Sequence, residues 1–392
     1  MRIVALDHIR GLAVFGILAV NPIALAQPMA VYSNPSLSPI PLSAMDLTLW
    51  TWVEVLFREK FVTTFTLLFG VSVFLVGRDN DPTAPPWKTP LFRRLVWLAV
   101  FGLIHGVLIW HGDILLSYAA TGFAFWPWRN ARPRILIGWG LFLFLAGAAV
   151  VLLPTITVAD GTAPQDVDID GVIAAMRGTF WDSLAGNVSE WASTILPELI
   201  DFLPTTLGLM MIGAGLFRLG FYHGKRDLRL YGLLIAVAAV SLIIIWLQAR
   251  QAILAHFPYP QAYGLFQVAN TLLCLPVALG YASLLILAGR WAVGRVLLYP
   301  LACVGRMAFT NYLVQSLVMT AIFYGGRGSH PPHFGEVNDA GLLPYVLAIW
   351  GGQLVASTVW MSVFRYGPFE WAWRCLTYKQ WVRMFGSARQ AV

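Results

Sequence analysis

The sequence predicts an all-α, polytopic integral membrane protein with about ten transmembrane helices. Hydrophobic residues make up 58% of the 392 residues and charged residues only 11%, whereas roughly a quarter of a soluble domain is charged. Apolar runs of about 20 residues, long enough to cross a bilayer, recur from end to end. The 17 Trp and 13 Tyr residues suit the two membrane interfaces.

The predicted spans follow the apolar runs between charged or Pro/Gly breaks, and together they make residues 1–392 one transmembrane helical domain. They are 9–29, 48–77, 92–111, 113–128, 135–158, 196–220, 228–254, 262–289, 296–324 and 341–365. The second run is too long for one crossing and its first half is charged, so an interfacial or re-entrant stretch is expected before about Phe61. The third and fourth spans should form a hairpin that turns at "WHGDI".

The distribution of Lys and Arg predicts the orientation. Alternate loops and both ends of the chain are rich in Arg and Lys, and the loops between them hold little more than Arg177, Arg250 and Arg327. Basic loops stay in the cytoplasm, so both termini are predicted to be cytoplasmic. Residues 159–195 are then an acidic extracytoplasmic loop, and residues 366–392 a cytoplasmic amphipathic tail. The scattered charges form no basic stripe, so no nucleic-acid partner is expected.

Two uncharged polar residues are predicted to reach the middle of the membrane. Asn21 follows Arg10 by eleven residues and His105 follows Arg94 by eleven, which places each about 16 Å along its helix in a hydrocarbon core roughly 30 Å thick. Histidine can accept and return a proton near neutral pH, and an amide can bind an oxyanion without adding charge. The pair suits acyl transfer, and it equally suits plain hydrogen bonding between helices.

Further polar residues are weaker candidates for the same cavity. Asp113, at the predicted hairpin turn, could orient a histidine or cap the fourth span. Asn311 and Gln315 share one helix face and could line a cavity or join helices. We assign the predicted substrate cavity to Lys60, Arg306, Asn311 and Gln315. No metal is expected, because the cysteines show no metal-site spacing and the pair His330 and His333, with prolines between them in an exposed loop, is interpreted as a chance pair.

The cytoplasmic basic residues allow two interpretations. They could serve only topology and anionic lipid, or they could bind the phosphates of a soluble acyl donor such as acyl coenzyme A. Arg10, Arg93 and Arg94 are placed for donor binding, and Asp7 is placed to pair with Arg10 at a spacing of three residues.

Six sequence blocks carry a family resemblance. The blocks "LDHIRGLAVFGILAVNP", "KFVTTFTLLFG", "RRLVWLAVFGLIHGVLIWHGDILLSYA", "MMIGAGLFRLGF", "CVGRMAFTNYLVQS" and "GPFEWAWRCLTY" resemble, in order and over nearly the whole chain, the YeiB family of bacterial inner-membrane proteins. The resemblance implies a multi-pass protein of the bacterial inner membrane. It also implies kinship with a transmembrane acyltransferase superfamily that includes heparan-α-glucosaminide N-acetyltransferase.

The resemblance implies roles for three residues. The asparagine of the acetyltransferase first-helix motif, which lies near the acyl donor, corresponds to Asn21. The histidine and aspartate of the YeiB-type "HxxLxWxGDIL" block fall on His105 and Asp113. The acetyltransferase has its catalytic histidine soon after the first helix, whereas residues 22–60 of this chain contain none. The superfamily also suggests a homodimer.

Two functions follow as hypotheses. In the first, a membrane-embedded acyltransferase moves an acyl group, with acetyl as the first expectation, from cytoplasmic acyl-CoA to a small-molecule, glycan or lipid acceptor. In the second, a transporter or lipid-handling protein uses the same cavity without covalent chemistry. A purely structural partner without a ligand is a third, blander alternative. Membrane lipids are expected partners in every case.

Overall fold

The computed structural model describes residues 3–78, 85–157, 168–257 and 261–386, and these fold into helices with one isolated bridge between Phe364 and Phe385. The α-helices are α1 Val4–Ala26, α2 Met29–Ser33, α3 Ala44–Leu56, α4 Lys60–Arg78, α5 Pro90–Ile104, α6 Leu115–Phe125, α7 Pro133–Thr157, α8 Ile169–Arg177, α9 Phe180–Asp201, α10 Leu203–Arg218, α11 Leu228–Leu254, α12 Gln261–Ala288, α13 Ala292–Leu297, α14 Tyr299–Arg306, α15 Ala308–Phe323, α16 Asp339–Val363 and α17 Pro368–Tyr378.

Seven stretches of the described residues are long and apolar enough to cross a membrane, or eight if the bent pair α9–α10 is one span. The helix at the predicted fourth span, α6, has 11 residues, and the predicted ninth span is divided among α13, α14 and α15. Prolines explain the division in part, since Pro300 starts α14 where the preceding helix has ended. The chain is thus a multi-pass membrane protein, and the count of ten stays a prediction.

The first helix lies at the centre of the bundle. In its apolar stretch, 67% of the residues are buried, against 22% in α11 and in α16. The helix packs on α4, α12, α14, α15 and α16. Two glycines allow the closest contact. A Cβ on Gly11 would lie 2.1 Å from the Leu301 carbonyl oxygen, and one on Gly305 would lie 1.9 Å from the Asp7 carbonyl oxygen. The backbones of α1 and α14 therefore touch.

Two segments predicted to lie outside the spans contain helices. The described part of the acidic segment 159–195 is helical, because Asp168 caps α8 and the carboxylate of Asp182 binds the Thr179 backbone at the start of α9; residues 159–167 lie outside the described residues. The predicted tail contains α17, which packs on α5 and α15 with Trp373 buried. It therefore forms part of the helix bundle, and residues 387–392 of it lie outside the described residues.

Candidate functional site

An amphipathic cavity of about 240 Å³ lies between α1, α4, α5, α6, α14, α15 and α17. One end holds four arginines, here called the arginine mouth: Arg10, Arg94, Arg306 and Arg374. The other end, here called the apolar end, is formed by Val14, Ile17, Phe65, Phe69, Leu98, Ile114, Leu115, Tyr118 and Tyr312. The two ends follow the order of residues along each helix, from Arg10 to Ile17 and from Arg94 to Leu98.

The arginine mouth has few carboxylates to neutralise it. Arg10 lies 3.4 Å from an oxygen of Asp7, as the three-residue spacing predicts. Arg94 stacks on the Trp373 indole at 3.6 Å, and Arg374 lies 5.2 Å from the rings of Tyr366 and Tyr378. Neither Arg94 nor Arg374 forms an ion pair with a described carboxylate. These two cations are therefore available to an anion.

Glu370 also lines the cavity, but its carboxylate faces the start of α15. It accepts hydrogen bonds from the backbone N–H of Phe309 at 2.7 Å and of Thr310 at 3.0 Å, and from the Thr310 hydroxyl at 2.5 Å. Burial nevertheless raises the pKa of this carboxyl above its usual range. Glu370 thus ties α17 to α15 rather than pairing with the arginines.

His105 and Asp113 form a buried pair beyond the apolar end. Nδ1 of His105 lies 3.0 Å from Oδ1 of Asp113, and both side chains are fully buried. Oδ2 of Asp113 accepts the backbone N–H of Leu116 at 2.9 Å, so Asp113 orients the histidine and caps α6 at once. An ionised carboxylate can only accept, so the tautomer that fits this contact has the proton on Nδ1 and leaves Nε2 as an acceptor. Nε2 is buried with no hydrogen-bond partner among the described residues.

A widened turn positions this pair. The helix continues past α5 as a π-helix over His105–Ile109, a local form often found at functional sites. Its end carbonyls are bound by side chains: Asn187 donates to Gly106 and Val107 at 2.8 and 2.9 Å, and Arg327 donates to Ile109 at 2.7 Å. Asn187 and Arg327 therefore hold the turn that carries His105.

Close packing around this turn leaves no room for side chains at two glycines. A Cβ on Gly102 would lie 2.8 Å from Oδ2 of Asp113, and one on Gly106 would lie 2.3 Å from Nε1 of Trp191. The indole nitrogen of Trp191 and both ring nitrogens of His111 are buried without a described partner. Unpartnered polar atoms thus continue from His105 away from the cavity.

The structure places His105 one side chain away from the cavity. Tyr312 lines the apolar end, and its ring centroid lies 5.1 Å from that of His105. His105 follows Arg94 and Leu98 on one face of the same helix, and Asn21 follows Val14 and Ile17 on one face of α1. Neither His105 nor Asn21 lines the cavity itself. Asn21 is half-buried, and its side chain makes no hydrogen bond with a described residue.

Several predicted site residues lie elsewhere. Arg93 donates to the carbonyls of Thr377 and Lys88, because one helix step of 100° turns it away from the face of Arg94. Lys60 donates to the Glu54 carbonyl and to Asn270 instead of lining a substrate cavity, since the break before α4 directs it towards α3 and α12. Of the residues predicted for the substrate cavity, only Arg306 lines it.

Asn311 and Gln315 also do not line the cavity. Asn311 donates to Ser357 at 3.0 Å, and Gln315 donates to Gln353 at 2.9 Å. These bonds join α15 to α16, where α16 supplies the polar partners, so the interhelical alternative of the prediction applies. The four-residue spacing shows that Asn311 and Gln315 share a helix face, but it does not show that this face packs on α16.

Some residues of the site were not anticipated from the sequence. Tyr312 lies next to a predicted residue, but a tyrosine in an apolar span is common. Asn187 lies in the segment predicted to be a loop, and Arg374, Glu370 and Trp373 lie in the predicted tail. Their membership of the family block "GPFEWAWRCLTY" is the sequence feature that could have marked these last three residues as functional.

Comparison with known proteins identifies the family. Over 391 residues the chain is 32% identical to the uncharacterized protein YeiB of Escherichia coli (strain K12), with 96% of each chain covered. It belongs to the YeiB family. The chain is also 29% identical to the uncharacterized protein YxaH of Bacillus subtilis (strain 168), covering 97% of this chain and 95% of YxaH.

A family model described as a protein of unknown function (DUF418) matches residues 216–380. No solved structure matches the chain. Residues 216–380 include all of α14, α15 and α17, and hence Arg306, Tyr312 and Arg374 of the cavity. The YeiB resemblance is confirmed, and the kinship with acyltransferases stays a prediction.

Proposed function

We propose that this YeiB-family protein is a membrane-embedded acyltransferase that takes an acyl group, acetyl in the first instance, from acyl-CoA. The observation that carries the proposal is one cavity that joins four arginines to Tyr312, whose ring contacts His105. An acyl-CoA donor matches this cavity, because it has a polyanionic end for the arginines and an apolar arm for the apolar end. The arginine mouth lies at the predicted cytoplasmic end of the bundle, which fits a donor made in the cytoplasm of a bacterial cell. The protein would then lie in the inner membrane.

The donor phosphates would bind at the arginine mouth. Arg94 and Arg374 offer guanidinium groups without carboxylate partners, and planar guanidinium groups bind phosphate through paired hydrogen bonds. The cavity volume of about 240 Å³ is below the usual range of roughly 300–1,000 Å³ for whole small molecules. The cavity therefore suits the acyl-bearing arm, with the nucleotide outside at the mouth.

His105 would act as the general base. Its Nε2 would take the proton of an acceptor hydroxyl or amine while the acceptor oxygen or nitrogen bonds to the thioester carbonyl carbon. The carbon–sulfur bond then breaks, the proton held on Nε2 is returned to the coenzyme A sulfur, and the free thiol leaves towards the arginine mouth with His105 again neutral. Asp113 would hold the imidazole in the required tautomer. Asn21, one turn beyond Ile17, would donate to the thioester oxygen.

The acceptor would approach from the side opposite the donor. Unpartnered buried nitrogens of His111 and Trp191 lie beyond His105 on that side, and such atoms require water or a polar ligand. A small molecule, glycan or lipid with a hydroxyl or amine would meet that requirement.

Donor binding is tested by thermal unfolding of the detergent-solubilised protein with acetyl-CoA. A ligand at 100 times its dissociation constant stabilises the protein by about 2.7 kcal/mol. Arg94→Gln with Arg374→Gln should weaken binding at least about a hundredfold, because each lost charge–phosphate contact is worth about 1.5–3 kcal/mol. Arg93→Gln is the matched control, since Arg93 is the neighbour of Arg94 but bonds to backbone carbonyls away from the cavity. Equal weakening by both changes would refute the donor site.

The second candidate is lipid handling without covalent chemistry. It is favoured by the Tyr312 ring, which stands between the cavity and His105. This alternative predicts transfer or flux of a lipid in proteoliposomes without acyl-CoA, and no release of free coenzyme A. The acyltransferase predicts the reverse.

A further inference from the structure

A second cavity, of about 440 Å³, opens on the same end of the bundle as the arginine mouth. It lies between the start of α1, the turn from α10 to α11, and the end of α12 with α13. It shares no lining residue with the first cavity. Five of its lining side chains are basic or imidazole groups and none is acidic: His8, His223, Lys225, Arg290 and Arg295. We name it the second basic pocket.

The wall of the second basic pocket is held in place by its own hydrogen bonds. Arg290 donates to the Gly224 carbonyl and lies 5.6 Å from the Tyr231 ring. Gly224 has φ +66°, a conformation that favours glycine, and this turns its carbonyl towards Arg290. Lys225 and Arg295 are exposed and have no described ion pair. Two cations are thus free on a fixed wall.

His8 supplies a buried group with unused hydrogen-bonding capacity. Its side chain is only 2% exposed, yet Nδ1 has no hydrogen-bond partner among the described residues. Gly289 lies beside it, and a Cβ there would be 3.5 Å from Nδ1. A buried polar atom that lines a cavity and lacks a protein partner points to a bound ligand or water. Lys225, Arg290 and Arg295 around it select an anion.

The surroundings of the second basic pocket favour a lipid over a soluble anion. Ile3, Val4 and Ile286 contribute apolar lining. Beside it, Trp291, Val293, Val296 and Leu297 are each at least 70% exposed. An exposed Trp with apolar neighbours and basic residues is typical of the membrane interface. A headgroup phosphate can lie among the cations while its chains lie along these apolar side chains.

We infer that the second basic pocket binds the phosphate of an anionic phospholipid headgroup. Basic pockets between helices on the cytoplasmic side are known places for such headgroups. This site is independent of the proposed acyl transfer, because it uses other residues and another cavity. His8 would donate to or accept from the headgroup.

Native mass spectrometry of the detergent-solubilised protein tests this inference with phosphatidylglycerol and phosphatidylcholine. The wild type should retain one phosphatidylglycerol in preference to phosphatidylcholine. Lys225→Gln with Arg295→Gln should weaken phosphatidylglycerol binding about thirtyfold, because each basic residue near a lipid surface contributes about 1 kcal/mol. The matched control is Arg226→Gln with Arg229→Gln, which removes the same charge from the same region outside the pocket.

The outcomes distinguish binding in the second basic pocket from non-specific electrostatic attraction of the lipid to the protein surface. Loss in the pocket variant with retention in the control supports the site. Equal binding by wild type and pocket variant, or equal loss in both variants, overturns it. A further arm measures thermal stabilisation by inorganic phosphate. Stabilisation by phosphate with no preference for phosphatidylglycerol would overturn the lipid assignment. A His8→Phe variant, which leaves the surface charges in place, should also bind less phosphatidylglycerol.

Discussion

Two buried clusters of ionisable side chains differ in how many of their polar atoms have hydrogen-bond partners. In the first, here called the Glu54 cluster, Arg58 and Asn270 donate to the two Glu54 carboxylate oxygens, and Lys60 donates to the Glu54 carbonyl and to Asn270. In the second, Asp113 is fully engaged but Nε2 of His105 has no described partner.

The difference separates a structural cluster from a reactive one. The Glu54 cluster fills the break between α3 and α4, where Glu59 has φ 65°, and it lies away from the amphipathic cavity. Its hydrogen bonds connect the buried charged groups to one another and to neutral acceptors, as the burial of charges requires. The His105 pair keeps one buried nitrogen, Nε2, without a described partner, and Tyr312 lies between this pair and the cavity. A buried polar atom without a hydrogen-bond partner, rather than burial or charge alone, distinguishes the candidate site.

The largest effect expected on stability comes from breaking the Glu54 cluster. Glu54→Gln would leave Arg58 buried without its carboxylate partner and should lower the free energy of unfolding by about 3–5 kcal/mol. The control is Glu336→Gln, because Glu336 forms an exposed pair with Arg177 at 3.3 Å and should cost no more than about 1 kcal/mol. Chemical denaturation in detergent measures both. Similar costs for the two variants would show that the Glu54 cluster is not structural.

The reverse pattern is expected for the His105 pair. Asp113→Asn preserves shape and a hydrogen bond to Nδ1, so stability should fall by only about 1 kcal/mol. The amide can donate to Nδ1 and thereby move the imidazole proton to Nε2, so turnover should fall at least about a hundredfold. Coenzyme A release and unfolding are measured on the same preparation. A variant that loses stability but keeps its turnover would make Asp113 a structural residue only.

The smallest effect concerns pH. Burial raises the pKa of Glu370 in the folded protein, so its stabilising contribution is complete below the usual value of about 4.5 and is lost as the pH rises through the raised pKa. Glu370→Gln imitates the neutral carboxyl and should flatten this part of the stability curve. Melting temperatures between pH 4 and 8 provide the test. Parallel curves for wild type and variant would contradict the raised pKa.

The sequence predicted which residues share a helix face better than which neighbouring helix that face meets. Asn21, His105 and Arg94 lie on the helix faces that lead to the cavity, as their eleven-residue spacings allow. Arg93, one step from Arg94, and Lys60 point elsewhere. Direction depends on which helices are neighbours, and that information lies in contacts far apart in the chain, such as Lys60 with Asn270.

Local pairs were accessible because few residues separate their members. Asp7 with Arg10, and His105 with Asp113, lie three and eight residues apart. The support from Asn187 and the contribution of α17 were missed, because an acidic segment and a basic tail have the composition of loops. Capping by Asp168 and Asp182 makes the acidic segment helical, and burial of Trp373 against α5 brings the tail into the bundle.

The most direct test of the proposed chemistry is acyl-CoA-dependent release of coenzyme A by the protein in proteoliposomes, compared between wild type and His105→Ala at saturating donor. General-base catalysis contributes about 10²–10⁴-fold, so the variant should lose at least about a hundredfold in rate while its affinity for the donor, set at the arginine mouth, stays unchanged. Release by His105→Ala at the wild-type rate would contradict the central claim.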